Sequence, residues 1–143
     1  MGKQLGPSPW LMITQDMVDR FADLTGDHQW IHVDPKRAEF ESPGGRTIAH
    51  GYLTLSLLPT LQAQLLRFEG FERVLNYGLE RLRYPLAVET GRRIQLVQTV
   101  SSVNRLREGV FRLTLDSLIM VEGQSRPALT AAIVAQIYAK AQT

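Results

Sequence analysis

Two side chains that could carry out acid–base chemistry, Asp27 and His32, stand five residues apart in the sequence. They lie in residues 25–35, between two segments with helical periodicity. A carboxylate and an imidazole can serve as general base and general acid. Together they could take a proton from water and protonate a carbon atom, which is what adding water to a double bond requires.

A second stretch, residues 48–53, contains Ala49-His50-Gly51 at the point where an apolar helix is predicted to begin. A backbone N–H in the first turn of a helix has no intrahelical partner, and glycine lets a ligand approach the backbone closely. Gly51 is therefore a candidate donor to a developing oxyanion. Addition of water to a double bond conjugated to a thioester carbonyl needs such a donor in addition to a base and an acid.

The elements that must position these residues are helical before residue 70 and strand-like after it. One helix should begin at Thr14 and end at Gly26, with Leu24 on its apolar face, and a short one should start at Asp34-Pro35 with Phe40 packed inward. A leucine-rich helix is predicted over residues 51–68, with a kink or break at Pro59. Strands are predicted over residues 76–84, 93–106, 109–121 and 126–139. This order predicts an α+β fold in which an antiparallel sheet is covered by the leucine-rich helix.

Composition narrows the class of protein. The 143 residues fit one domain, residues 1–143. The net charge of +2 and the scattered basic residues argue against a nucleic-acid partner. The absence of cysteine excludes disulfides, zinc–thiolate sites and a Cys nucleophile. Residues 53–66 form the longest apolar-rich stretch, which is too short and too polar to span a bilayer. No membrane partner is expected, and the default location is cytoplasmic.

Both motifs resemble those of a known family. Gly26-Asp27, four intervening residues and His32 resemble the Gly-Asp-x-Asn-Pro-(Ile/Leu)-His signature of MaoC-like (R)-specific enoyl-CoA hydratases. Ala49-His50-Gly51, followed by a leucine-rich helix, resembles the second motif of that family. The longer pattern Gly-Asp-His-Gln-x-Ile-His-Val-Asp-Pro is more similar to the nodulation protein N-like subgroup. The resemblance covers most of the chain from about Thr14 onward.

The resemblance implies a hot-dog fold, in which an antiparallel sheet wraps around a central helix, usually in a dimer with the two sheets joined edge to edge. It implies that Asp27 and His32 are the catalytic pair of a lyase and that the N–H of Gly51 polarises the thioester carbonyl. The substrate would be an enoyl group on coenzyme A or acyl carrier protein, with no cofactor and no metal. Departures from the pattern, Gln29-Trp30 in place of Asn-Pro and Pro59 in place of a common Ser, leave the substrate open. The expected substrate-binding residues are Gln29, Trp30, His50, Tyr77 and Gly78.

Simpler interpretations stand beside these. Asp27 could only order its loop, His32 could be structural, and His50 could order the start of the helix. Tyr77 could simply pack in a strand. His28 and His32, with Asp27 and Asp34 close by, could hold a metal, although no metal is expected. The same residues could also direct water at the thioester carbonyl in a hydrolase, or belong to a module that binds acyl groups without catalysis.

Overall fold

The computed structural model describes residues 1–140, in which short strands and helices precede four long strands. The first elements are β1 (Gln4–Leu5), β2 (Leu11–Met12), α1 (Gln15–Thr25), α2 (Trp30–Val33), α3 (Pro35–Glu41), α4 (Gly51–Ser56) and α5 (Leu58–Gln62). The long strands are β3 (Phe71–Arg83), β4 (Arg93–Arg107), β5 (Val110–Val121) and β6 (Pro127–Ala139). Within these residues no helix is long and apolar enough to cross a membrane.

One antiparallel sheet contains all the strands, in the order β1-β4-β5-β6-β3, with β2 also paired to β4. The predicted hairpin turns at residues 107–109 and 122–124 connect β4 to β5 and β5 to β6. The α+β class and the four predicted strands are therefore confirmed, but β3 begins at Phe71, five residues before the predicted start at Asn76. β1 and β2 were not predicted, because a two-residue strand has no periodicity that a sequence could reveal.

Local signals set the ends of α1. The Thr14 side chain accepts a hydrogen bond from the Met17 N–H, and Gly26 ends the helix with φ of 78°. Gly26 also donates its N–H to the carbonyl of Ala22 at 2.8 Å. The left-handed backbone at Gly26 is strained for other residues, so glycine fixes where the loop that follows begins. The predicted helix and both of its caps are confirmed.

Two expected core contacts are wrong. The Leu24 and Phe40 side chains are each 83% exposed, whereas Ala22 and Ala38 are fully buried. Each exposed residue lies two positions after a buried alanine, which turns it about 200° around the helix axis. Both side chains therefore point away from the core that holds the alanines.

The predicted helix over residues 51–68 is broken. α4 ends at Ser56, and α5 begins at Leu58 with Pro59 in its first turn. Proline has no N–H to donate and is tolerated only in the first turn of a helix, so the expected break is confirmed. The predicted extension to residue 68 is wrong, since the helix ends at Gln62. The buried leucines of α4 and α5 pack in one core with side chains from the inner face of the sheet, namely Leu53, Leu58 and Leu61 with Leu96, Leu115 and Ile119.

Candidate active site

Asp27 lies in the loop that joins α1 to α2, one residue after the glycine that ends α1. Its side chain is exposed, and its Oδ1 accepts a long hydrogen bond of 3.4 Å from the Gln29 N–H. The Asp27 backbone carbonyl accepts a second bond, at 3.0 Å, from Nε2 of His50. The loop is therefore tied down by its backbone while the carboxylate remains accessible.

His32, on α2, is buried, with 6% of its surface exposed. Its Nδ1 lies 2.6 Å from the backbone carbonyl of Ile48. A carbonyl can only accept, so Nδ1 carries a proton and Nε2 is bare whenever the ring is neutral. Burial is the largest influence on the pKa of His32 and lowers it, while the bond to Ile48 opposes that effect. His32 therefore presents an unprotonated Nε2 at neutral pH.

His50 joins the two motifs. It is 2% exposed, occupies the N-cap position of α4, and donates Nε2–H to the carbonyl of Asp27. Its ring stacks on that of His32, with 3.8 Å between centroids, and also contacts Phe21 at 4.9 Å. Its Nδ1 is buried without a hydrogen-bond partner among the described residues. These contacts hold the loop of Asp27 against the start of α4.

Gly51 is the first residue of α4, so its N–H lies outside the hydrogen-bond ladder of the helix. The Tyr84 ring packs against it: a Cβ on Gly51 would lie 3.1–3.2 Å from three ring atoms. Burial raises the pKa of the Tyr84 phenol. The two residues line a small cleft of about 230 Å³. Glycine at position 51 thus makes room for the tyrosine ring, and its place in the first turn leaves its N–H outside the helical hydrogen bonds.

Tyr77 and Gly78 line a larger cleft of about 460 Å³ between β3 and the two helices α4 and α5. Its other lining residues are Leu55, Ser56, Leu58, Pro59, Asn76, Leu79 and Ile133. The Tyr77 ring lies 4.2 Å from the guanidinium carbon of Arg112. The lining of this cleft is largely apolar, which suits an acyl chain.

Gln29 and Trp30, which replace the Asn-Pro of the family pattern, open α2. Gln29 is its N-cap residue and is exposed, whereas Trp30 is its first residue and is half-buried. The Arg37 guanidinium lies 4.2 Å from the Trp30 ring, in a cation–π contact. The tryptophan therefore ties α2 to α3.

A metal could find three ligand atoms at this site, since Asp27, His32 and His50 each offer one within 4.8 Å of the others. The two imidazole planes are only 24° apart, so the ring lone pairs lie in two nearly parallel planes. Zinc requires its nitrogen ligands to converge on one point at about 2.0–2.1 Å, which stacked rings do not do. The stacking therefore fits acid–base chemistry better than metal binding.

The sequence suggested a metal site made of His28, His32, Asp27 and Asp34. Of these, only Asp27 and His32 come together in the structure. His28 bonds Asp23 instead, with 2.9 Å between Nε2 and Oδ1. The Asp34 carboxylate caps α3 by accepting the Arg37 N–H at 3.0 Å. These two residues therefore have structural partners of their own.

Three residues that support His32 and His50 were missed in the sequence. Gln15, on α1, donates Nε2–H to the backbone carbonyl of His32 at 2.8 Å and accepts a hydrogen bond from the Thr47 hydroxyl. Ile48 acts through its carbonyl and Phe21 through its ring. Nothing in the residue types signals these contacts, because they join positions 16 to 32 residues apart through backbone atoms or common side chains.

A family model described as "MaoC like domain" matches residues 1–119. Among similar proteins, 3-hydroxyacyl-thioester dehydratase Z of Mycobacterium tuberculosis is 45% identical over 130 residues, which are 91% of this chain and 85% of that protein. Nodulation protein N of Rhizobium leguminosarum bv. viciae is 42% identical over 137 residues, covering 92% of this chain and 82% of that protein.

Two solved structures have closely similar folds. The MaoC-like dehydratase from Rhodospirillum rubrum has a TM-score of 0.80 and 18% identity, covering 99% of this chain and 94% of that one. The (R)-hydratase from A. caviae involved in PHA biosynthesis has a TM-score of 0.72 and 26% identity, covering 94% and 93%. These matches confirm the hot-dog fold expected from the sequence.

Proposed function

The chain belongs to the MaoC-like domain family, and we propose that Asp27, His32 and Gly51 are the groups with which it adds water to a trans-2-enoyl thioester. It is an enzyme of the hydratase/dehydratase class, as are its relatives named 3-hydroxyacyl-thioester dehydratase and (R)-hydratase. The observation that carries the residue assignment is the meeting of the Asp27 carboxylate with the histidine pair, in which His32 keeps a bare Nε2.

The first step is attack of water on the β-carbon. A water molecule held between the Asp27 carboxylate and Nε2 of His32 loses one proton to the pair as its oxygen bonds to carbon. Neutral His32 has no proton on Nε2 to give, so the proton that reaches the α-carbon is the one that the pair took from water. His32 therefore orients the water and relays this proton.

Charge that develops on the thioester oxygen needs a donor. The Gly51 N–H supplies it from the start of α4, where the helix dipole adds a partial positive charge. The His50 side chain, by binding the Asp27 carbonyl, keeps this N–H and the carboxylate in a fixed relation. We assign His50 to this positioning role.

The acyl chain occupies the 460 Å³ cleft, which Tyr77 and Gly78 help to line. We assign Gln29 and Trp30 to substrate binding near the catalytic pair, because they lie between Asp27 and His32 in the chain. The proposed carrier is coenzyme A, and acyl carrier protein is the alternative. The expected product is the (R)-3-hydroxyacyl thioester.

A homodimer joined along β3 is part of the proposal. β3 is the last strand of the sheet, so one of its edges has no neighbouring strand among residues 1–140. It also exposes apolar side chains, at Val74, Leu75, Tyr77 and Leu79. An unpaired apolar edge favours pairing with another chain.

Two further predictions from the sequence remain predictions: residues 1–143 form one domain, and the enzyme is cytoplasmic.

The test is a hydration assay over trans-2-enoyl-CoAs of increasing chain length, with the product resolved by chirality. Loss of enoyl absorbance without thiol release, giving the (R)-3-hydroxyacyl-CoA, supports the proposal. Release of free coenzyme A would instead indicate a thioesterase. Tight binding without turnover at any chain length would indicate a non-catalytic acyl-binding module.

A further inference from the structure

Three polar side chains form a chain of hydrogen bonds that ends on the backbone of His32. Gln15 is the first residue of α1, Thr47 lies in the segment before α4, and Thr90 lies in the loop before β4. We propose that Gln15, oriented by Thr47, is a positioning residue for hydration, because it fixes the backbone from which the His32 imidazole extends. The inference rests on the proposed function for the role of that imidazole.

α2, which carries His32, depends on partners outside itself. It has only four residues, and the last four carbonyls of an α-helix have no donor within the helix. The Ile31 carbonyl accepts the N–H of Ile48 at 3.0 Å. The His32 carbonyl accepts Nε2–H of Gln15 at 2.8 Å. A single helical turn is not stable alone, so these two bonds help to set the place of α2.

The partners of Gln15 fix the orientation of its amide. The His32 carbonyl can only accept a hydrogen bond, so the amide nitrogen faces it. The second hydrogen of Nε2 goes to Oδ1 of Asp19, also at 2.8 Å. Oε1 then faces the Thr47 hydroxyl, which donates to it. A reversed amide would place its oxygen against the His32 carbonyl, so the donor to Oε1 selects the orientation that supports His32.

Thr47 holds the Gln15 amide from a buried position. It is 1% exposed, and its hydroxyl proton is committed to Gln15. The Thr90 hydroxyl lies 2.9 Å from Oγ1 and 3.3 Å from the carbonyl oxygen of Thr47, so Thr90 is the donor between these two side chains. The Thr90 N–H also donates to the Thr47 carbonyl at 2.9 Å, in a β-bridge that joins the two segments. The hydrogen bonds therefore run in one direction, towards His32, and each polarises the next.

The imidazole of His32 is consequently held from two sides. Its Nδ1 donates to the Ile48 carbonyl at 2.6 Å, and its backbone carbonyl is held by Gln15. A ring fixed at Nδ1 alone could still tilt about that bond, whereas a fixed backbone also fixes the Cα from which the ring extends. A displacement of about 1 Å at a catalytic group can cost about 10²-fold in rate. Gln15 thus sets where Nε2 of His32 stands relative to the Asp27 carboxylate.

Substitutions of similar shape test this role. Gln15→Met keeps the length of the side chain but removes the donor to His32. We expect kcat for crotonyl-CoA hydration to fall roughly tenfold with little change in KM, because the cleft and the Gly51 N–H are unaltered. Asp19→Ala removes the other partner of Nε2, on an exposed face of α1, and should leave kcat unchanged. A normal kcat in Gln15→Met would overturn the inference.

Thr47 allows a rescue experiment at a single position. Thr47→Val keeps the shape of the side chain and removes the hydroxyl, so the Gln15 amide loses the donor that orients it. We expect kcat to fall by a smaller factor than in Gln15→Met. Thr47→Ser keeps the hydroxyl and should stay close to the unchanged enzyme. Equal losses in Thr47→Val and Thr47→Ser would show that the hydroxyl does not orient Gln15.

The double variant Gln15→Met/Thr47→Val separates position from stability. Replacing both partners of a buried hydrogen bond by apolar groups of the same shape can be nearly neutral for stability. The thermal midpoint should therefore recover relative to Thr47→Val, while kcat stays as low as in Gln15→Met. A kcat that recovers together with the thermal midpoint would show that the two side chains act only on stability.

A second double variant, Gln15→Met/His32→Ala, tests whether Gln15 acts through the imidazole. Without the imidazole Gln15 has nothing to position, so the double variant should turn over as slowly as His32→Ala. A further tenfold loss, roughly that of Gln15→Met alone, would show that Gln15 acts elsewhere. If His32→Ala keeps near-normal turnover, the proposed function fails and the inference with it. If His32→Ala is inactive while Gln15→Met turns over normally, only the inference fails.

Discussion

His32 and His50 stack ring on ring, and each is anchored to the backbone of the other's motif. His32 binds the carbonyl of Ile48 in the second motif, and His50 binds the carbonyl of Asp27 in the first. These reciprocal bonds lock together two segments that are separated by α3. The position of the carboxylate relative to the Gly51 N–H is therefore set by two side chains that also stack on each other.

Loss of either catalytic side chain should abolish most turnover. Asp27→Asn and His32→Ala should each lower crotonyl-CoA hydration by about 10²–10⁴-fold, as expected for a lost general acid or base. Circular dichroism should show that both variants are folded. The neighbouring exposed pair provides matched controls, since Asp23→Asn and His28→Ala make the same changes outside the cluster. Near-normal turnover in both Asp27 and His32 variants would refute the assignment.

The pH dependence of hydration should reflect the protonation of His32. Burial lowers its pKa below the ordinary value of 6.5, so the base form persists at neutral pH and is lost only in acid. kcat/KM for hydration should be level above pH 6.5 and fall as the pH drops through the lowered value. A profile that turns down already above pH 6.5 would contradict this.

The pH dependence of the free energy of unfolding should also reflect the protonation of His32. The folded state disfavours charged His32, so the unfolded chain binds the proton more readily below pH 6.5. The contribution of His32 to the free energy of unfolding is thus complete above pH 6.5 and is lost as the pH falls through the lowered pKa. His32→Gln should remove this part of the pH dependence in denaturant titrations, whereas His28→Ala should leave it in place.

Much of the site depends on residues that are close together in the sequence, and that part could be predicted. Thr14 and Gly26 cap α1 through contacts within a few residues, and Asp27, His32 and Gly51 stand in short motifs with a direct chemical meaning. A sequence displays such relationships because the partners are close along the chain.

The contacts that join the motifs could not be predicted. Gln15 reaches the carbonyl of His32, and His50 reaches that of Asp27, across 17 and 23 residues. Every residue has a carbonyl, so residue types do not show which one will accept a side chain. The exposure of Leu24 and Phe40 was missed for a related reason, because the arc of a helix that is buried depends on what packs against it.

We expect His50 to support catalysis by holding the loop of Asp27 in place and not by reacting with the substrate. His50→Phe keeps an aromatic ring against His32 but removes the donor to Asp27, so the loop loses an anchor. We expect kcat to fall roughly tenfold with a smaller change in KM, and the free energy of unfolding to drop by about 1 kcal/mol. His50→Gln, which can donate to the same carbonyl, should recover part of kcat. A purely structural role would lower stability in both variants and leave the turnover of the folded fraction unchanged.

Substitution of Gly51 should destabilise the protein because a side chain there would press against Tyr84. A Cβ at position 51 would press against the tyrosine ring at 3.1–3.2 Å, so Gly51→Ala should destabilise the protein and displace the ring. Gly51→Ala/Tyr84→Leu should relieve the contact and recover the thermal midpoint relative to Gly51→Ala. An unrelieved loss in the double variant would show that the obstacle lies elsewhere than in the ring.

The Tyr84→Leu background also allows the role of the Gly51 N–H to be tested separately. Position 51 is the first of its helix, where proline is favoured, and His50 has φ of −58° and ψ of 140°, which suit a residue before proline. Gly51→Pro/Tyr84→Leu should therefore fold, while the ring carbon that replaces the hydrogen keeps a thioester oxygen from that site. Hydration should fall by about 10²–10³-fold relative to Gly51→Ala/Tyr84→Leu, the usual effect of losing one oxyanion donor. Equal rates in the two variants would place the donor elsewhere, because both retain Asp27 and His32 and differ mainly in the backbone N–H.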